Sequence, residues 1–253
     1  MSRISMKGWS PFAVLVLFFA AWEALVSIFD IPAWLLPAPS AILKEAAASY
    51  PLFLPDAGST VMLALAGLSI GAAIGLLLAI VLHLVPPLRT AFYPFLIISQ
   101  NVPIIVTAPL LVIWFGFGSL PKLIIITLVC FFPITIALLD GFRNAPRELL
   151  HFMKMSGATP LQTFAKVEFP NALPPLFSGL KISATYSVMG AVISEWLGAQ
   201  KGIGVFMTLS SSAFRTDRVF IAIFMIVILS MLFYGVITML EKKVVKWTPG
   251  GEK

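Results

Sequence analysis

Six long apolar runs decide what this chain can fold into. They lie at about Pro11 to Phe29, Ser59 to Val85, Phe92 to Trp114, Leu120 to Leu139, Ala172 to Leu197 and Val219 to Leu240. A hydrocarbon layer about 30 Å thick needs about 20 apolar residues per helical crossing, and each run is long enough. Unpaired backbone amides are costly in lipid, so each run is expected to be a helix. The alternative, a closed barrel, needs alternating strands of about ten residues, a pattern absent here. The expected fold is all-α, a single polytopic transmembrane domain over 1–253 with about six transmembrane helices. Composition agrees, with 59% hydrophobic and 11% charged residues where a soluble domain carries about a quarter charged. The remaining chain suffices for short loops but not for a separate soluble domain.

The formal net charge of +6 does not point to nucleic acid, because no basic stretch is interleaved with surface aromatics and the lysines cluster beside apolar runs. It reads as membrane topology. Assigning loops to alternate sides puts Arg3, Lys7, Arg89, Arg143, Arg147, Lys154, Lys166, Lys242, Lys243, Lys246 and Lys253 with the termini, eleven of the seventeen basic residues. By the positive-inside bias both termini are cytoplasmic, and Lys44 and Arg215 are external. The first run follows Arg3 and Lys7 as a signal peptide would. It is longer than a typical signal core and no clear cleavage site follows, so it is expected to remain as the first span. The lone Cys130 sits inside an apolar run and reads as a packing residue.

Two connections exceed simple turns. In Asp30 to Gly58, Leu36-Pro37-Ala38-Pro39-Ser40 precedes a short surface helix over Ala41 to Ser49, with Ser40 as its N-cap. In Asp140 to Asn171, Asn144 caps a helix beginning Ala145-Pro146. Leu149, Phe152 and Met153 form one face of it, and Arg147, His151 and Lys154 another. Gly157 ends or bends this helix, and Thr159-Pro160-Leu161-Gln162 offers a capping box for a second short helix that stops before Pro170. Leu161, Phe164 and Ala165 keep helical spacing, so both apolar faces are expected against the body of the protein. On these residues alone, a helix pair resting on lipid headgroups fits as well as a docking element.

Gly157, nine residues, then Val167-Glu168-Phe169-Pro170 resembles the G-x9-I-x-L-P core of the cytoplasmic EAA loop of permease subunits in binding-protein-dependent ABC importers. The triplet that names that loop would fall at His151, Phe152 and Met153, where this sequence departs from it. Leu36-Pro37-Ala38-Pro39-Ser40, Pro103 to Leu110 and Trp114-Phe115-Gly116-Phe117-Gly118 are similar to the nitrate, sulfonate and taurine branch. The resemblance implies a type I ABC importer permease fold whose loop, at about 140–171, is a coupling helix seated in a cleft on a separate ATPase. Arg147, Glu148, His151, Lys154, Gly157 and Ala158 would make that contact. It also implies a homodimer, two ATPase subunits that bind ATP and Mg, and an extracytoplasmic solute-binding protein, all in the bacterial cytoplasmic membrane.

No G-x-x-x-x-G-K-[ST] cradle for ATP phosphates is present, so the energy source is expected to be another chain and no cofactor is expected in this one. His83 and His151 have no H-E-x-x-H setting and no serine sits in G-x-S-x-G, so neither a metal site nor an enzyme is expected. Gln100, Asn101 and Pro103 interrupt the third run, where a broken helix could offer polar groups to a solute or merely satisfy freed carbonyls. Glu195 is a candidate for the translocation path or external gate, with a solvated helix end or a pair with Lys201 the plainer reading. For Glu23 an interfacial or inter-helix hydrogen bond is the plainer reading. Gly67, Gly71 and Gly75 fit close helix packing. A rival class, an ion-coupled secondary transporter using Glu23 or Glu195, should show inverted halves, and none is evident.

The inferred path has few fixed charges, which disfavours a strongly anionic cargo. A small uncharged or zwitterionic solute fits better, with Phe115, Tyr186 and Trp196 able to stack on a flat ring. Ser99 to Ile104, Cys130 to Ile134 and Leu139-Asp140-Gly141 look most like the permease subgroup linked to pyrimidine precursors of thiamine. Sulfonate, taurine and nitrate permeases share much of that pattern.

Overall fold

The computed structural model describes residues 10–246, so Arg3, Lys7 and Lys253 lie outside the described residues. Ten α-helices and one π-turn follow in order: α1 Ser10–Ile28, α2 Pro39–Leu84, α3 Pro86–Gln100, α4 Ile104–Phe115, α5 Ser119–Arg143, α6 Arg147–Met155, α7 Pro160–Thr163, the π-turn Phe164–Glu168, α8 Phe169–Glu195, α9 Ile203–Ser212 and α10 Thr216–Val244. No strand occurs among the described residues.

The core is the packing of α2, α5 and α8. Lipid gives helices no hydrophobic reason to associate, so close backbone approach must supply the attraction, and small residues permit it. A Cβ at Gly71 would stand 2.6 Å from Cys130 Cβ, and one at Gly75 2.7 Å from the Phe131 carbonyl oxygen. On α8, a Cβ at Gly179 would meet the Pro133 carbonyl at 2.8 Å. Hydroxyls then stitch the contacts: Ser183 donates to the Cys130 carbonyl at 2.7 Å, and Thr135 Oγ1 lies 3.2 Å from the Gly75 carbonyl oxygen. Cys130 is fully buried as packing, and Gly67, Gly71 and Gly75 allow the close approach expected of them.

Four helices are long and apolar enough to cross a membrane, namely α2, α5, α7 through α8, and α10; α3 and α4 together are apolar enough for a fifth, with a 100° bend between them. The third run is therefore not one straight span. Pro103 lacks an N–H and pushes Val102 away from helical geometry, and the Asn101 amide turns back to the Ile97 carbonyl at 2.9 Å. The pair still runs from pole to pole. Its start shares a cavity with Arg143 at the end of α5, while Phe117, just past its end, shares another with Lys122, Glu195 and Lys201. The shorter α1 packs along α10 through Phe19 on Phe224 and Trp22 on Phe220.

Four local expectations are corrected. The surface helix over Ala41 to Ser49 is not separate but forms the start of α2, whose 46 residues run to about 70 Å at 1.5 Å per residue. Pro51 and Pro55 are tolerated inside it because both are exposed, where freed carbonyls need no internal partner. Ser40 is not the N-cap, a place held by Ala38. Instead Ser40 gives its N–H and hydroxyl to Glu23 at 2.9 and 2.6 Å, which ties α1 to α2 and supplies the hydrogen bond expected of Glu23. Asn144 closes α5, and α6 starts only at Arg147, behind Pro146. Finally, the second loop helix does not stop before Pro170. It passes through the π-turn into α8, with Pro170 in the first turn after the π-turn.

Candidate functional site

Function-bearing groups gather at two poles and at the break between them. The first pole is the loop. Gly157, at φ +72°, ends α6 in a Schellman motif: the Ala158 N–H reaches the Met153 carbonyl at 3.0 Å and the Gly157 N–H reaches Lys154 at 3.1 Å. The Thr159 capping box then starts α7, with Gln162 N–H to Thr159 Oγ1 at 3.3 Å and Thr159 N–H to Gln162 Oε1 at 2.9 Å. Both turns follow the sequence expectation. The packing does not. Leu149 is 50% exposed, Phe152 65%, Met155 87% and Leu161 69%, and Ala165 is exposed too; of the expected inward face, Phe164 is the residue that is buried. An apolar stripe thus faces outward beside exposed Arg147, Glu148, His151 and Lys154, while Ala158 is half-buried. No atom of the chain lies within 4 Å of a Cβ placed on Gly157.

Behind this loop, His83 Nε2 at the end of α2 meets Glu168 of the π-turn at 2.7 Å, and its ring packs on Phe142 and Phe164. Asn171 reaches the Gly141 carbonyl at 3.4 Å. These contacts tie the loop to α2 and α5. A single π-turn at such a joint often marks a functional site.

The second pole is polar and buried. Glu195 is 2% exposed, not solvated, and is not bound to Lys201, which corrects the plainer sequence reading. Its carboxylate accepts from Thr60 Oγ1 at 2.8 Å and from the Gly204 N–H at 2.8 Å. Thr60 Oγ1 in turn accepts from the Ile203 N–H at 2.9 Å, and Asp56 accepts from the Gly202 N–H at 2.8 Å. Three successive N–H groups at the start of α9 are therefore satisfied by side chains of α2 and α8, with two carboxylates at the positive end of the helix dipole. Gly202 is obligatory: its φ is +132° and any Cβ would overlap the Glu195 carboxylate. Glu195 also borders a cavity of about 600 Å³ with Lys122, Lys201, Phe117 and Ser59.

Between the poles, at the break of α3 and α4, lies a cavity of about 360 Å³ lined by Ser99, Gln100, Thr107, Tyr186 and apolar side chains of α4, α5 and α8, with no charged group. Gln100 and Tyr186, named from sequence for the path, come together here. Asn101 and Pro103 form the break itself and do not line the cavity; Glu195 lies apart at the second pole. Asp56, Thr60 and the His83–Glu168 pair were missed. The one usable signal was the Gly202-Ile203-Gly204 run after Glu195.

A family model described as "Binding-protein-dependent transport system inner membrane component" matches residues 71–246, well over half of the chain, from the second half of α2 through α10. The chain belongs to that family. This permease of the ABC importer class is a multi-pass transport subunit, not an enzyme, and permeases of the class work with ATPase and solute-binding components. It is similar to the formylaminopyrimidine transport permease protein ThiX of Halalkalibacterium halodurans, 31% identical over 96% of this chain and 97% of that one. It is also similar to the riboflavin transport system permease protein RibX of Chloroflexus aurantiacus, 32% identical over 92% and 88%. Among solved structures, a methionine ABC transporter in inward-facing conformations shares the permease's fold, with a TM-score of 0.68 at 20% identity over 78% of this chain and 98% of that one.

Proposed function

We propose that this permease imports a small, flat, largely uncharged heterocycle of the thiamine pyrimidine-precursor type. Two copies would form the pathway in a bacterial cytoplasmic membrane, with the termini and the 140–171 loop on the cytoplasmic side. The observation that carries the substrate class is the uncharged cavity at the α3/α4 break. Gln100 offers both hydrogen-bond senses to a ring edge, Tyr186 offers an aromatic face, and no fixed charge is present to reward an anion. The likeness to a formylaminopyrimidine permease over nearly the full length of both chains supports the same reading.

Coupling rests on the loop. The outward stripe of Leu149, Phe152 and Met155, rimmed by Arg147, Glu148, His151 and Lys154, is the apolar centre and polar rim that a protein interface presents. One ATPase subunit, carrying ATP and Mg, would seat each loop, and Gly157 would let the partner surface approach closely. Closure of two ATPase subunits would then tilt α2, α5 and α8 through the His83–Glu168 and Asn171–Gly141 contacts. An extracytoplasmic binding protein would deliver cargo at the Glu195 pole.

A second substrate reading, a sulfonate, has one observation in its favour, the pair Lys122 and Lys201 at the mouth of the larger cavity. Growth separates the two. A thiamine-requiring strain lacking this permease should fail on limiting pyrimidine precursor and grow normally on taurine or an alkanesulfonate as sole sulfur source. A defect confined to sulfur use would replace the first reading with the second.

A further inference from the structure

At the loop pole, Arg89 and Thr90 of α3, Tyr93 and Pro94 one turn further, and Arg143 at the end of α5 line an open cavity of about 300 Å³ that has no role above. That volume sits at the low end of the range for small-ligand clefts, about 300–1,000 Å³. Two guanidiniums brought together from helices 54 positions apart repel one another unless an anion lies between them. No carboxylate among the described residues supplies one. Among the described residues, ion pairs engage Glu45, Asp217, Glu168 and Glu241, and neither Arg89 nor Arg143 takes part in any. Asp140 stands one turn before Arg143 on α5 yet forms no ion pair with it, and Glu168 is taken by His83.

Depth in the membrane narrows the chemistry of the missing anion. α3 begins at Pro86 and α5 ends at Arg143, so both arginines lie at span ends, where headgroups and aromatic belts are found. The half-buried Tyr93 lines the cavity, and Leu88 and Phe92, adjacent in sequence to Arg89 and Tyr93, expose apolar surface on the same helix. Planar, forked donors match phosphate oxygens, and the neighbouring apolar side chains match an acyl chain. We infer that this cavity binds the phosphate headgroup of an anionic phospholipid. Basic pockets between helices at a membrane surface are a recognised form of such recognition. The site is independent of the transported solute, so it stands or falls apart from the substrate reading.

The test uses the full chain, purified in neutral detergent, with bound phospholipid counted by native mass spectrometry during titration with phosphatidylglycerol or phosphatidylcholine. Saturable phosphatidylglycerol binding is expected, falling at least about ten-fold in the Arg89→Gln/Arg143→Gln double variant as two charge-assisted contacts are lost. Lys44→Gln, at an exposed position near the start of α2 at the opposite pole, should leave it unchanged. Equal binding by the double variant, or equal binding of phosphatidylcholine, overturns the inference. Displacement by inorganic phosphate alone overturns it in favour of a soluble anion. Should the double variant lose its helical circular dichroism, Arg143→Gln, at an exposed position, is read in its place by the same criteria.

Discussion

The two poles of this permease solve opposite problems. At the Glu195 pole the carboxylates have internal partners: Asp56, Thr60 and Glu195 meet Gly202, Ile203 and Gly204, and Glu45 holds Arg215 and Arg218 at 2.8 Å. At the loop pole the turns are equally well made, yet the helices between them turn apolar side chains outward and little packs on them. A buried, fully paired network is rigid because undoing any member strands the others. An apolar stripe on an otherwise finished loop is a surface that lacks its partner. The contrast teaches that the Glu195 pole is held by its own chain, whereas the loop pole leaves apolar surface uncovered, as the coupling role proposed above requires.

Substitutions sharpen the contrast, and the largest effect is expected at the buried pole. Gly202→Ala forces a Cβ into the Glu195 carboxylate at a φ that side chains rarely adopt, so about 2–5 kcal/mol of stability should be lost. Thermal unfolding in detergent measures it, and an unshifted midpoint would show that this pole is not the rigid one. Gly157→Trp comes next and acts in the other way. Space around Gly157 is open, so the fold should lose no more than about 1–2 kcal/mol for the positive φ, whereas uptake should collapse because the partner surface is blocked. Uptake at the wild-type level would break the comparison at its loop end.

A smaller effect follows from Phe152→Asp, which places a charge in the outward stripe. Unfolding should be unaltered because the ring is 65% exposed, while less ATPase subunit should co-purify with the permease. Full recovery of the partner would remove the stripe from the docking surface. The least effect is expected of His83→Gln. The pair with Glu168 is part-exposed, and an amide retains one hydrogen bond, so a cost of about 1 kcal/mol and a modest loss of uptake per ATP hydrolysed are expected. A loss as deep as that of Gly157→Trp would move the joint from accessory to essential.

The helical class and the family were legible in sequence because a membrane span is written in composition, and the loop in two glycine and proline signals that obey local rules. Gly157 and Thr159 needed only their neighbours to be read. Ser40 and Asn144 misled because each obeys the same local rule but is claimed by a distant or preceding partner, Glu23 and α5 respectively. The fusion of the surface helix with the second span was hidden by Pro51 and Pro55, which break helices on average and not on an exposed face. Glu195 was found but misplaced, since its partners Thr60 and Gly204 are set by how α2 and α9 cross, and no short-range pattern carries that. The outward turn of Leu149 and Phe152 was missed because helical spacing says which residues share a face and not what covers it.

The central claim, that the loop pole is driven by a partner ATPase, is tested most directly by solute uptake into proteoliposomes assembled with the permease, its ATPase and its binding protein. Uptake should require both the ATPase and hydrolysable ATP, and an imposed ion gradient should not replace them. Accumulation by the permease alone, driven by an ion gradient without ATPase, would contradict the account.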